Sequence, residues 1–340
     1  MSNTSAPLAP LAPSQISVLP RIRLGLCCIN NTLRAKKIYT NRTCIRKTYT
    51  PEKGHQLALQ NVTDLLPILE WNHARGIKHF RISSDMFPHL CDPECQPYEL
   101  CTDIECALMR AGEFATTNGH RLTMHPGQYN VIGTPRREVF EATIKDLTQH
   151  AYVLDMMNAP IGEGVLCIHG GGVYGDKERT IRRWIDQFDE LPTCVKQRLA
   201  IENCEKSYNV FDCLEIAEAC RIPVIFDTHH DLCYKLYHPD QPTLQSLDEE
   251  GQQQLLSHIA EGWQQRSARP LFHISDPKDP CSDLRKNQMF CAHHDYIKEI
   301  PKCLLVASDI GGGIDIEVEA KAKEAAIFRL MDTKEYRACF

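Results

Sequence analysis

Nowhere in its 340 residues does the chain hold an apolar run long enough to span a membrane. It also lacks paired Cys-x-x-Cys knuckles and a strand–GxGxxG–helix phosphate fingerprint, and no secretory leader is expected. These absences argue against a membrane protein, a zinc ribbon and a dinucleotide-binding enzyme. The seventeen cysteines are scattered and odd in number, so reduced thiols in an intracellular protein are expected rather than a disulfide framework. An excess of positive charge is missing too. A formal net charge of −6 argues against a protein held on nucleic acid by charge alone. Locally the opposite holds. Between Asn30 and Pro51 there is no acidic residue, while Arg34, Lys36, Lys37, Arg42, Arg46 and Lys47 lie together.

What is present is an alternation. Short apolar runs at 21–29, 78–83, 121–126, 164–170, 198–203, 222–227, 270–275 and 314–320 are separated by stretches whose apolar residues recur three and four apart. Parallel neighbours need a crossover, so strand–helix alternation predicts a parallel sheet. Eight such units predict a single (β/α)8 barrel of the α/β class. LLVAS (304–308) is expected as the end of a helix, because the helical AKAKEAAIFRL already has its strand in IDIEVEA. Residues 1–20, rich in Pro, Ser and Ala, are expected as a flexible tail. The barrel is expected over 21–331, with a C-terminal tail at 332–340.

On a barrel, chemistry sits at the C-terminal ends of the strands. There the predicted strands place His125, His169, Glu202, Asp227 with His230, His273 and Glu319. Mixed imidazole and carboxylate donors suit Zn2+ or Mn2+, and seven exceed what one tetrahedral ion uses, so a multinuclear centre is expected. Any one strand-end histidine is commonly just a hydrogen-bonded core residue; the inference rests on the set. In DTHHDL (227–232), His229 is expected to be structural. AHHDYI (292–297) adds His293 and His294 as a further ligand or phosphate contact.

Other features carry less. Cys91, Cys95, Cys101 and Cys106 crowd a sixteen-residue stretch, with a zinc site as the alternative to free buried thiols in a loop insertion. HGGGVYG (169–175) and DIGGGID (309–315) read as a close backbone approach beside His169 and as a connector at the opposite face. Arg136 and Arg137, and Lys177, Arg179, Arg182 and Arg183, follow predicted strand ends. With the 30–51 segment they outline a basic mouth that implies a polyanion. In MHPGQYNVIGTP (124–135), Gln128 and Tyr129 stand at a loop tip, where bulky side chains cost ordering entropy and commonly serve a function.

RLGLCCINNTLR with TNRTC, WNHARGIKHFRISSDMFPH, LTMHPGQYNVIGTP, LCIHGGGVYGDK, IENCEKSY, IPVIFDTHHDLCY, HISDPK, AHHDYI and DIEVEAKAKEAAIFRL run in order from about residue 21 to 331. Together they resemble the UV damage endonuclease family, whose wider class includes endonuclease IV and xylose isomerase-like barrels. The resemblance implies incision of double-stranded DNA on the 5′ side of ultraviolet photoproducts and some other lesions, by metal-activated water. It implies a multinuclear Mn2+ site, Zn2+ or Mg2+ being alternatives, at His125, His169, Glu202, Asp227, His230, His273, His293 and Glu319. Glu202, His230 and His273 are expected to be catalytic. Gln128 and Tyr129 correspond to the pair that probes the duplex, and Asn30 to a lesion-pocket asparagine. Arg34, Lys36, Arg42, Arg46 and Lys47 are expected to contact DNA. A monomer is expected, with no membrane partner, in the cytoplasm and nucleoid of a prokaryote or the nucleus of a eukaryote.

Two positions depart from the family pattern. Leu26 stands where a lesion-pocket tyrosine is usual, and Leu271 where a lysine, sometimes carboxylated, precedes the seventh-strand histidine. Lys278 is the candidate to replace that lysine. Other readings are a damage-binding module that no longer cuts and a sugar isomerase on the same barrel.

Overall fold

The computed structural model describes residues 20–280, 290–309 and 312–339. The stretch expected as a flexible N-terminal tail lies outside these residues except for Pro20.

Eight parallel strands close a barrel in chain order. They are β1 Ile22–Cys27, β2 His79–Ile82, β3 Arg121–Met124, β4 Leu166–His169, β5 Leu199–Glu202, β6 Val224–Asp227, β7 Leu271–Ile274 and β8 Ile314–Val318. Helices α1 Asn31–Arg34, α2 Pro51–Thr63 and α3 Leu65–His73 follow β1; α4 Thr102–Thr117 follows β2; α5 Arg137–Met156 follows β3. Next come α6 Lys177–Phe188 and α7 Thr193–Lys196 after β4, α8 Val210–Cys220 after β5, and α9 Thr228–Tyr237 and α10 Glu249–Gln264 after β6. The outer layer ends with α11 Lys302–Ala307 after β7, and with α12 Glu324–Met331 and α13 Lys334–Arg337 after β8. All eight expected strands are present, each shorter than the apolar run that announced it. LLVAS falls in and just after α11, as expected.

The helices form because their apolar residues share one face. In α4, Ile104, Ala107, Leu108, Ala111 and Ala115 are all buried, one helical turn after another. The C-terminal residues correct the sequence expectation of a tail. Tyr336 and Cys339 are buried, and Arg21 N–H donates to Cys339 O at 3.0 Å, closing the N-terminal end of the barrel.

The barrel interior is unusual. Such interiors are commonly filled by branched apolar side chains. Here β8 alternates, and Asp315, Glu317 and Glu319 follow one another two residues apart, on one face. At the lowest level Asp315 is fully buried, paired with Arg23 at 2.6 and 2.7 Å and with Arg121 at 2.8 Å, and Arg269 lies 3.3 Å away. Burial would raise this carboxyl, but the arginines outweigh that and hold it below the usual carboxylate range. The middle level holds Glu317, and the upper level opens at the mouth. Leu26 lies on the other face of β1, fully buried in the core, so the family tyrosine's position is sealed from the mouth.

Candidate metal centre and nucleic-acid interface

Sheet register sets the ligand geometry. His169 is paired with Glu202 across β4 and β5, and Asp227 with His273 across β6 and β7. Glu202 is 1% exposed and central. His125 Nε2 lies 2.9 Å from its Oε2 and His273 Nδ1 2.9 Å from its Oε1; His230 Nδ1 is at 3.3 Å and His169 Nε2 at 3.8 Å. Glu319 lies 3.6 Å from both His273 and His293. Asp227 Oδ1 caps α9 by accepting from the backbone N–H groups of His229 and His230, which leaves its Oδ2 buried with no hydrogen-bond partner. All eight side chains proposed as ligands from the sequence therefore lie in one contiguous cluster.

Several rings are held through Nδ1. His125 Nδ1 donates to Pro126 O at 3.2 Å, His230 Nδ1 donates to Asn203 O at 3.0 Å, and His293 Nδ1 is 2.6 Å from Ser275 Oγ. That arrangement fixes ring orientation and commits Nε2 to the cavity, as metal-binding histidines require. His229, as expected, is buried and structural, its Nε2 3.2 Å from Cys291 O.

The electrostatics match this picture. Burial would raise the Glu202 carboxyl, yet His273 and His169, with hydrogen bonds from His125 and His230, hold it well below the usual range. Burial lowers His230 and His273, but Asp227 and Glu202 lift the first, and Glu202 and Glu317 the second, well above an ordinary imidazole. Burial pulls His169 and His293 down. The cluster thus demands positive charge, and imidazolium protons are one way to meet it. Divalent cations fit the same donor set. Two ligands about 2.1 Å from one ion in octahedral geometry lie roughly 3 Å apart, close to the His125–Glu202 and His273–Glu202 separations. Asp227 Oδ2 and His169 Nδ1, buried without partners, are further unfilled donors.

Sequence reasoning missed several members. Glu317 is buried within the barrel. It lies 3.0 Å from His79 and from His273 Nε2, and it accepts from Thr123 and from Arg81. The His273 contact has ion-pair distance but not hydrogen-bond geometry. Arg81 also pairs with Glu319, so a cation stands beside that carboxylate although position 271 is a buried leucine. Lys278 does not fill this place: it lines a surface cavity with Asp276 and His294. Cys167 Sγ donates to Glu202 Oε2 at 2.9 Å. Glu205, after β5, has its carboxyl held low against burial by His230 and His169. The period-two acids of IDIEVEA were the one available signal for Glu317; nothing local marked Arg81 or Glu205.

At the rim, Gln128 and Tyr129 are exposed, Tyr129 by 66%. Their turn is held from behind by Asn130, whose side-chain N–H groups donate to Asp146 at 2.7 Å and to Gly127 O at 3.1 Å. A cavity of about 380 Å3 adjoins Tyr129, walled by Phe87, His89, Asp92 and Asp146. A larger one of about 970 Å3 lies between α2 and α4 on the outer layer, so volume alone does not locate the chemistry. Asn30 is buried and caps α1, its Oδ1 accepting from Leu33 N–H while its Nδ2 has no partner.

The basic segment needs correction. Arg42 pairs with Asp64 at 2.6 Å and donates to the carbonyls of Lys37 and Tyr39, and Arg46 pairs with Asp92 and Glu94. Both fasten the loop rather than present free charge. Arg34, Lys36 and Lys47 are exposed without an acidic partner among the described residues. Arg136, Arg137 and Lys177 are likewise paired, with Glu138, with Glu141 and Glu190, and with Asp212. The four crowded cysteines form no common centre. Cys91 donates to Gln149, Cys101 faces His55, and Cys101 and Cys106 are exposed, not buried.

Residues 22–339 match the family model described as UV-endonuclease UvdE. The chain is 34% identical over 315 residues to a protein of Acanthamoeba polyphaga mimivirus described as a candidate UV-damage endonuclease, covering 91% of this chain and 90% of that one. It is 34% identical over 321 residues to the UV-damage endonuclease of Schizosaccharomyces pombe, covering 91% of this chain but 50% of that one. It thus spans about half the length of that relative. Among solved structures, that of SacUVDE superposes with a TM-score of 0.75 at 29% identity, covering 94% of this chain and 96% of that one. Endonuclease IV from Thermus thermophilus shares the fold, with a TM-score of 0.53 at 13% identity over 93% of this chain and 98% of that one. No helix of the described residues is long and apolar enough to cross a membrane.

Proposed function

Because the chain belongs to the UV-endonuclease UvdE family, we propose that it hydrolyses the DNA backbone on the 5′ side of ultraviolet photoproducts, and of other lesions that weaken stacking. The observation that carries this reading is the convergence of His125, His230, His273 and His169 on the buried carboxylate of Glu202. His125, His169, Glu202, Asp227, His230, His273, His293 and Glu319 would hold divalent cations; the donor set suits Zn2+ or Mn2+, and the family resemblance makes Mn2+ the leading candidate. Bound there, such ions supply Lewis acidity for activating water and for neutralising charge on a phosphodiester.

The rest falls to the chain itself. Glu202 gathers the imidazoles and fixes their directions. Glu317 lies behind His273, opposite Glu202, and Asn203 O holds His230. Arg81 compensates Glu317 and Glu319, so the interior does not repel a polyanion as strongly as three buried glutamates would. At the rim, the Tyr129 ring and Gln128 amide occupy the stack where bases are displaced. Damaged bases stack and pair poorly, so displacing them costs less than in intact DNA. Selectivity is then for deformability rather than base identity. Arg34, Lys36 and Lys47 supply phosphate contacts.

The test is a nicking assay on supercoiled plasmid with and without ultraviolet dose, in Mn2+. Dose-dependent nicking that is lost in Glu202→Gln supports the proposal. Tight binding to irradiated DNA without any cut would establish a damage-binding module instead, and aldose isomerisation without a DNA effect would establish the sugar-isomerase reading.

A further inference from the structure

Outside the donor cluster, the loop between β2 and α4 comes back against α2 and brings three metal-ligating side chains together. Gly54 of α2 makes this possible: a Cβ there would lie 2.7 Å from the ring of Tyr98 and 2.8 Å from that of Tyr49. The loop is therefore seated directly on the helix, and Tyr49 O–H donates to Gln96 O at 2.6 Å to hold it there. The next residue of α2 is His55, its ring edge-on to Tyr98 at 6.4 Å. Its Nε2 lies 2.8 Å from Cys101 Sγ, at the cap of α4, and 3.7 Å from Asp103 Oδ1, in the first turn. The ligating atoms of the three all fall within 4.8 Å of one another.

We propose that His55, Cys101 and Asp103 form a site for a single thiophilic divalent cation of the Zn2+ class, which fastens the β2–α4 loop to helix α2.

A tetrahedral ion with one sulfur and one nitrogen ligand separates them by roughly 3.5 Å. The observed Cys101 Sγ–His55 Nε2 separation of 2.8 Å is shorter than that, so small side-chain rotations that part the two complete the site. Two donors come from a sixteen-residue helix end and one from a thirteen-residue helix, so the backbone is already placed. Water completes the fourth position at this exposed site. Coordination replaces the Cys101 S–H bond with a sulfur–metal bond and releases that proton to buffer. His89, Asp92 and Cys95 make a contrast, since their donor atoms are as close together. There Arg46 already neutralises Asp92, and His89 Nε2 is spent on Cys44 O at 2.7 Å. No arginine or lysine pairs with Asp103 among the described residues. The same loop walls the cavity beside Tyr129 through Phe87, His89 and Asp92, so a cation at its far end would steady that wall.

The experiment is a Co2+ titration of the full chain after chelator dialysis, followed by the near-ultraviolet thiolate-to-cobalt absorption. Nitrogen and oxygen donors in the barrel do not produce this band. Cys167→Ser serves as the control for the one thiol that touches Glu202 in the barrel cluster. The wild type and Cys167→Ser should both show the band. Cys101→Ser should lose it while keeping the helix, because serine is a favoured cap. His55→Gln should weaken Co2+ and Zn2+ binding at this site roughly tenfold or more. A wild type without the band, or a band that survives Cys101→Ser, overturns the proposal. If Cys101→Ser fails to fold by circular dichroism, His55→Gln decides instead, and cation binding as tight as in the wild type overturns the proposal.

Discussion

His79 Nε2 lies 3.0 Å from Glu317 Oε1 deep within the barrel, and the pair fits only because the neighbouring residue on β1 is Gly25. A Cβ at Gly25 would stand 2.8 Å from His79 Cγ. Gly25→Ala should therefore force the imidazole or its strand aside and cost about 1–3 kcal/mol. Glu317→Gln should cost more, about 3–5 kcal/mol, because it removes the buried charge that faces His79, His273 and Arg81 together. Urea denaturation of both variants reads the difference. A Glu317→Gln protein as stable as the wild type would contradict the interior charge network.

A second prediction concerns pH. Burial, aided by the nearby His73, lowers His120 from an ordinary 6.5 to about 4. His120 is therefore neutral when folded but gains a proton when unfolded. Its stabilising contribution is complete above about 6.5 and is lost as pH falls toward about 4, up to roughly 3 kcal/mol in all. His120→Gln should flatten the stability profile within that window. If denaturation midpoints of variant and wild type fall in parallel between those pH values, the assignment is wrong.

The rim gives a third. Base–aromatic stacking is worth about 1–3 kcal/mol per ring. Tyr129→Ala should reduce the preference for irradiated over intact duplex about tenfold or more in competition binding, while leaving metal content unchanged. Asn130→Ala, which frees the turn from Asp146, should shift preference the same way by less. Unaltered preference in Tyr129→Ala would remove the wedge from the mechanism.

The basic loop offers a fourth, in which two chemically similar changes part company. Lys36→Ala or Lys47→Ala should weaken DNA binding and reduce its salt dependence by about one ion each. Arg42→Ala should instead destabilise the loop, because its guanidinium is spent on Asp64 and on backbone carbonyls, and should leave the salt slope nearly as it was. Fluorescence anisotropy at several salt concentrations separates the two.

The basic loop also shows where reading the sequence fell short. The run from Asn30 to Pro51 has no acid of its own, which suggested uncompensated charge. Asp64, Asp92 and Glu94 reach it from other segments. Local composition carries no information about partners that distant in the chain. The crowded cysteines are free thiols, as expected, but Cys101 and Cys106 are exposed rather than buried, and Cys101 meets His55 from forty-six residues away.

The eight-strand order and the meeting of seven strand-end donors were legible in the sequence alone, while His293 entered through the family resemblance. Alternating apolar runs and helical periodicity leave few topologies, and a barrel sends every strand end to one mouth. Only the tertiary structure decided what stands behind those donors: Glu317 beneath His273, Arg81 against Glu319, Asn130 under the wedge. Such supporting contacts depend on the register of strands far apart in sequence and on the space one glycine leaves. The pattern of a single strand encodes neither.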